Sequence, residues 1–163
     1  MRWDDFEAAC PRIAGIARER FGQDEVVMLG TVRSDGAPRL SPCEVDVAAG
    51  RLLFGMMWQS RKAQDLLRDP RLVVHSVPQT RMNPGGDVKL RGIAIEERDP
   101  DVRATYREAL RARIDWAPDE PGFHLFSLDV REAIYLRFGD EPVAWRWDDA
   151  GGFRELRHPD AAT

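Results

Sequence analysis

Apolar positions recur at helical spacing at the start of the chain. Phe6, Ile13, Ile16 and Ala17 share one face, which predicts a helix over about residues 4–21, kinked or split at Pro11 and closed by Gly22. The period then changes. Residues 25–33 are apolar on both faces, as the wall of a packed barrel requires. Ser34-Asp35-Gly36 follows, and Asp-Gly supplies the positive φ angles of a hairpin. A second strand is expected over residues 38–47, and Ala48-Ala49-Gly50 turns it into a third over 51–57, so that three sequential strands form a meander. Residues 60–69 read as a short helix ended by Pro70, and 71–77 as a fourth strand. The stretch 78–86, with Pro78, Asn83, Pro84, Gly85 and Gly86, reads as a loop. Alternation over 87–95 predicts a fifth strand, the spacing over 100–114 a helix, and 123–128 and 133–138 two further strands. A last hairpin joins 143–147 to 153–156 across Asp148 to Gly152. The pattern predicts an α+β unit, mainly β, with antiparallel strands dominant and a few peripheral helices. Residues 1–163 are read as a single domain with its core at about 25–147.

Charge narrows the function classes. The formal net charge of −4 gives no general electrostatic reason to bind nucleic acid, so an anionic ligand needs a local cluster of Arg and Lys. No run approaches the ~20 apolar residues of a membrane helix, and Asp4 and Asp5 sit where a signal peptide carries basic and apolar regions. The expectation is a cytoplasmic protein with no membrane partner. Cys10 and Cys43 form no Cys-x-x-Cys pair. His75, His124 and His158 have no metal-ligand spacing, and no metal is expected.

The stretch from Trp58 to Leu67 carries the most chemistry. It leaves a strand and enters a helix, with Ser60 at the N-cap and Arg61 and Lys62 in the first turn. Cations there are unfavourable by themselves, because the helix N-terminus already carries partial positive charge. An anion offsets this, since backbone N–H groups, a hydroxyl and two cations converge on it. A solvated helix start, docked by Ala63, Leu66 and Leu67, is the plain alternative. Arg39 favours the anion, because it lies on the strand hairpinned to the one feeding this helix and is expected at the same corner.

The succession Leu29 to Pro42, then Gly50 to Phe54, Ser60-Arg61-Lys62, Asp65-Leu66 and Asp69-Pro70-Arg71 resembles the pyridoxamine-phosphate-oxidase-like split barrels. The dense part of the resemblance runs from about residue 25 to 97. It implies a split β-barrel with Greek-key character, and a homodimer with two cofactor sites at its interface. Members of the family bind FMN, and one branch uses a deazaflavin, coenzyme F-420. By the resemblance, Arg39, Leu40, Ser41, Pro42 and Cys43 line the ribityl-phosphate and the pyrimidine side of the ring. Gly55 and Met56 lie under the ring, and Ser60, Arg61 and Lys62 form the phosphate site. Asp87 stands where the oxidases carry a cofactor-touching Gln, and Lys89 or Arg91 is the compensating cation. Trp145 and Trp147 fall where the family places a ring near the flavin edge, although packing at a barrel end or dimer interface is the stronger account of them.

The Arg-x-His element of true pyridoxamine-phosphate oxidases is replaced by Arg154-Glu155-Leu156-Arg157-His158, so vitamin B6 oxidation is not expected. Nor does any residue stand out as a nucleophile or general base. This fits flavin chemistry, in which the cofactor carries the hydride and the protein supplies position and polarity. The expected function is an FMN-binding oxidoreductase transferring a hydride to or from a small molecule. A deazaflavin-dependent reductase is the first alternative, with Arg33, Arg39, Lys62 and Arg68 available for that coenzyme's acidic tail. A non-catalytic flavin carrier or sensor is the second. Haem binding, known in some split barrels, has no obvious His at the pocket.

Overall fold

The computed structural model describes residues 1–78, 80 and 83–158. Two helices open the chain, α1 (Trp3–Ala9) and α2 (Pro11–Asp24). Pro11 starts the second one, where its missing N–H costs nothing. Gly22 does not close α2, which runs two residues further and ends on Glu25 in the left-handed region at φ 55°. The buried side chains Trp3, Phe6, Ile13, Ala14, Ala17 and Phe21 join the barrel interior, so the helix pair packs directly onto the main core.

The strands are β1 (Val26–Val32), β2 (Pro38–Glu44), β3 (Asp46–Ala48), β4 (Arg51–Met57), β5 (Arg71–Ser76), β6 (Asp87–Glu96), β7 (Phe123–Arg137), β8 (Val143–Asp148) and β9 (Gly152–Glu155). Two further helices are α3 (Arg61–Arg68) and α4 (Pro100–Ile114). The antiparallel sheet has the order β2-β1-β5-β6-β7-β4-β3, with β8 on β7 and β9 on β8. Its two ends, β2 and β3, do not pair, so the sheet curls into a barrel that stays split. Val27, Leu29, Leu52, Phe54, Leu72, Val74, Leu90 and Phe126 fill the interior. Of the loop expected over 78–86, residues 79, 81 and 82 lie outside the described residues.

Two expectations about strands need correction. Residues 38–47 are not one strand. The chain breaks at Val45; among the described residues β2 ladders only with β1, whereas β3 forms the hairpin with β4. The expected meander is thus replaced by the split itself. Residues 123–137 are one strand, not two. The sequence pattern leaves a gap at residues 129–132, but β6 pairs across it with a register shift at Arg91/Gly92 that leaves Arg131 as the extra residue. Gly92 permits that bulge, because a Cβ there would collide with the carbonyl of Asp129.

α4 packs outside the barrel. Val102, Tyr106 and Leu110 meet Leu53, Phe123 and Leu125 from β4 and β7 in a second cluster. Asp99 caps the helix by accepting from the Asp101 N–H at 2.9 Å. No helix of the described residues is long and apolar enough to cross a membrane.

Candidate cofactor site

A cavity of about 630 Å³ lies where β2, β4, α3 and α4 meet beside the split, within the usual range for small-molecule sites. Pro42, Cys43, Gly55, Met56 and Lys62 line it, five of the residues picked out in the sequence. Tyr106 and Leu110 of α4, and Trp116, Pro118 and Asp119 beyond it, complete the opposite wall.

The split explains the inner edge. β2 and β4 do not ladder here, and the Cys43 thiol spans the gap to the Gly55 carbonyl at 3.5 Å. Burial pushes the Cys43 thiol up to about 11, with Lys62 opposing the shift, so sulfur stays protonated at neutral pH. Facing it from α4, the Tyr106 hydroxyl rests on Gly55, and a Cβ at position 55 would overlap it. Burial first, then the nearby Asp46, Glu44 and Cys43, raise the Tyr106 phenol well above its ordinary range.

The cationic corner sits at the start of α3. Ser60 is in the N-cap position, but its side chain makes no capping bond, and its buried hydroxyl has no partner among the described residues. Arg61 is exposed, with no ion pair among the described residues. The Lys62 ammonium donates to the Pro42 carbonyl at 2.6 Å, which ties α3 to β2. Arg39 reaches the same corner by a route the sequence did not give. Its strand is not hairpinned to β4; instead its guanidinium Nε donates to Asp65 of α3 at 2.6 Å. The Thr31 hydroxyl donates to the same carboxylate oxygen at 2.9 Å. Burial raises the Asp65 carboxyl, but the Arg39 and Thr31 hydrogen bonds outweigh it and leave it below its ordinary value.

Asp65 is the residue the sequence reading missed. It stood in the quoted motif without a role, and its position in the second turn of a helix opposite a basic strand residue was the available signal. The other cations near this corner are engaged too, Arg33 with Asp35 at 3.0 Å and Arg68 with Asp65 at 3.4 Å.

Ser60 and Arg61 adjoin the lining residue Lys62 without lining the cavity themselves, Arg39 does not line it either, and the remaining candidates also lie apart from the lining. Leu40 is exposed and Ser41 half-buried on β2. Lys89 is exposed on β6, and Asp87 accepts from the Asn83 amide at 2.6 Å. Trp145 packs against Tyr135, Phe153 and the Arg12 guanidinium, and Trp147 against Phe6, so both are packing residues within the chain. His75 is half-buried, with Nδ1 2.6 Å from the Ser76 carbonyl. His124 follows the lining residue Phe123 but is buried on the barrel side, stacked on Trp58 at 4.5 Å with Nδ1 3.2 Å from Glu96. His158 is buried edge-on to Phe138.

Residues 16–137 match the sequence profile of the family described as pyridoxamine 5'-phosphate oxidase. The chain belongs to that family. No curated protein sequence matches it. Among solved structures, a pyridoxamine 5'-phosphate oxidase-related, FMN binding protein from Nostoc punctiforme superposes with a TM-score of 0.66 at 19% identity, over 93% of this chain and 96% of that one. PhzG from Burkholderia lata 383, in complex with tetrahydrophenazine-1-carboxylic acid, gives 0.64 at 17% identity over 96% and 93%. A heme binding protein from Mycobacterium smegmatis gives 0.62 at 19% identity over 82% of this chain; the match spans 57% of that longer protein. At these identities the likeness is one of fold.

Proposed function

We propose that this family member binds FMN in the cavity beside the split and acts as an oxidoreductase on a small molecule other than pyridoxamine phosphate. The observation that carries the reading is the buried Ser60 hydroxyl, which caps no backbone group and has no partner among the described residues, at a helix start with two cations. A buried polar group of this kind asks for an acceptor, and a phosphate at the α3 N-terminus supplies one. Arg61 and Lys62 would neutralise that phosphate. Arg39, whose Nε is held by Asp65, would turn its remaining N–H groups toward it.

The bound flavin would supply hydride chemistry. The chain's own work is positional. Pro42, Cys43 and Gly55 would hold the ring between β2 and β4, while Met56, Met57 and Phe123 would exclude water. Leu40, Ser41, Lys89 and Trp145 do not line the protomer's cavity, and in this reading they meet the ligand only across a homodimer interface. Met57 is 80% exposed and Trp116 58% exposed, both at the cavity. Large apolar groups left bare beside a site favour a covering partner, here a second copy. The two cysteines are free, in keeping with a cytoplasmic protein.

A side-by-side fluorescence titration with FMN, riboflavin and coenzyme F-420 tests this. The expected result is tight FMN binding and weak riboflavin binding, with Arg61→Ala lowering FMN affinity about 10-fold or more, one charge-assisted hydrogen bond contributing ~1.5–3 kcal/mol. Preference for coenzyme F-420 would move the protein to the deazaflavin branch. Tight binding without turnover would make it a carrier or sensor. Equal binding of FMN and riboflavin would remove the phosphate site, and a monomer that bound flavin fully would remove the interface.

A further inference from the structure

The wall of the cavity facing the cationic corner carries its own chemistry. Tyr106 is 2% exposed, and its hydroxyl lies on Gly55, inside the lining, with no hydrogen-bond partner among the described residues. A phenol oxygen that opens on the cavity without a protein partner is free to donate to a ligand placed there. Around it the surfaces are apolar: Leu110, Phe123, Pro118, Met57 and the Trp116 ring. Glu44 and Asp119 also line the cavity on this side, and Lys62 is its only cation among the described residues, already donating to Pro42. A carboxylate ligand would meet like charge here.

We infer that this half of the cavity is a subsite for a planar ring molecule without a carboxylate, one that presents a carbonyl oxygen to the Tyr106 hydroxyl and a ring face to Trp116. The inference deepens the reading above, as the substrate side of the same cavity, and rests on it for the ligand's role in catalysis but not for its binding. Tyr106 supplies orientation, because one directed hydrogen bond in an apolar slot fixes which edge of the ring points inward. Trp116 supplies area, since an indole face accepts any flat π-system.

Three probes of one shape separate the terms: acetylnaphthalene, ethylnaphthalene and naphthoate, titrated against the full chain by calorimetry with and without FMN. The ketone is expected to bind about threefold to tenfold more tightly than the hydrocarbon, the range of one net hydrogen bond, and more tightly than the carboxylate. Tyr106→Phe keeps the ring and is expected to abolish the ketone's advantage while leaving the hydrocarbon's affinity unchanged. Trp116→Ala is expected to weaken all three. Equal binding of ketone and hydrocarbon to the unmodified chain overturns the subsite, as does tightest binding of the carboxylate, or no binding of any probe. A ketone preference that persists in Tyr106→Phe overturns the role of the phenol. Ketone binding in a chain that takes no FMN sinks the flavin reading alone.

Discussion

The corner where β2 meets α3 and the wall where α4 meets β4 line one cavity, yet they treat their polar groups in opposite ways. At the corner a buried carboxylate, Asp65, gathers Thr31 and Arg39, so much of the positive charge is spent before any ligand arrives. Only the Ser60 hydroxyl, Arg61 and part of Lys62 remain to recognise an anion. At the wall no cation lines the cavity among the described residues, and the carboxylates Glu44 and Asp119 stand beside uncharged donors. One phenol and one thiol, both held protonated by burial, face each other across Gly55. A motif rich in cations is therefore no measure of free charge, and a wall that reads as core can hold the most available donor.

The contrast can be broken from either side. Asp65→Ala leaves Arg39 and the Thr31 hydroxyl without their acceptor, and is expected to cost about 3 kcal/mol, the scale of breaking a buried ion pair. Urea denaturation measures it, and an unchanged midpoint would mean the corner is not held by that carboxylate.

The two regions also answer to opposite ends of the pH scale. The folded carboxyl of Asp65 lies below its unfolded value of about 3.8, so its contribution is present above that pH and lost as pH falls through the folded value. Cys43 is shifted the other way, from 9.0 to about 11, so its contribution is complete below pH 9 and lost as pH rises toward 11. That span corresponds to about 2–3 kcal/mol. Cys43→Ala is expected to flatten the alkaline limb of a stability curve and leave the acid limb in place.

Gly55→Ala drives a methyl into the Tyr106 phenol and is expected to cost about 2 kcal/mol by overpacking. Adding Tyr106→Phe removes the nearest atom, and a double-mutant cycle is expected to return about 1 kcal/mol of coupling. Strict additivity would place the two residues out of contact. The smallest effect belongs to Arg61→Ala, whose loss is expected to change stability by less than about 0.5 kcal/mol while weakening FMN binding. A large stability change there would assign Arg61 a structural partner.

Much of the fold was legible because local signals carried it. Pro11 divided the helices, Asp35-Gly36 made the β1–β2 turn, and Pro70 ended the region of α3 before β5. Misreadings arose where long-range pairing overrode local pattern. Val45 looks like any strand residue, and only the separate partners of β2 and β3 break the chain there. Asp129 to Glu132 looks like a gap between strands until β6 pairs across it. The site divides the same way. Ser60, Arg61 and Lys62 were visible because they are contiguous, whereas Tyr106 joined the helical apolar face and showed nothing of Gly55, fifty-one positions earlier in the chain.

The split in the barrel leaves β2 as an edge strand with one ladder among the described residues, to β1. Such an edge is normally a template on which a stray chain can add a further strand and seed aggregation. Pro38 and Pro42 stand four residues apart on β2, both opposite β1 partners. Proline is tolerated in a paired edge strand where its missing N–H points away from the ladder, so these two remove donors from the open side. The bare Leu40 between them thus belongs to a surface that resists recruitment edge-on, and any protein covering it must come down on the face of the strand.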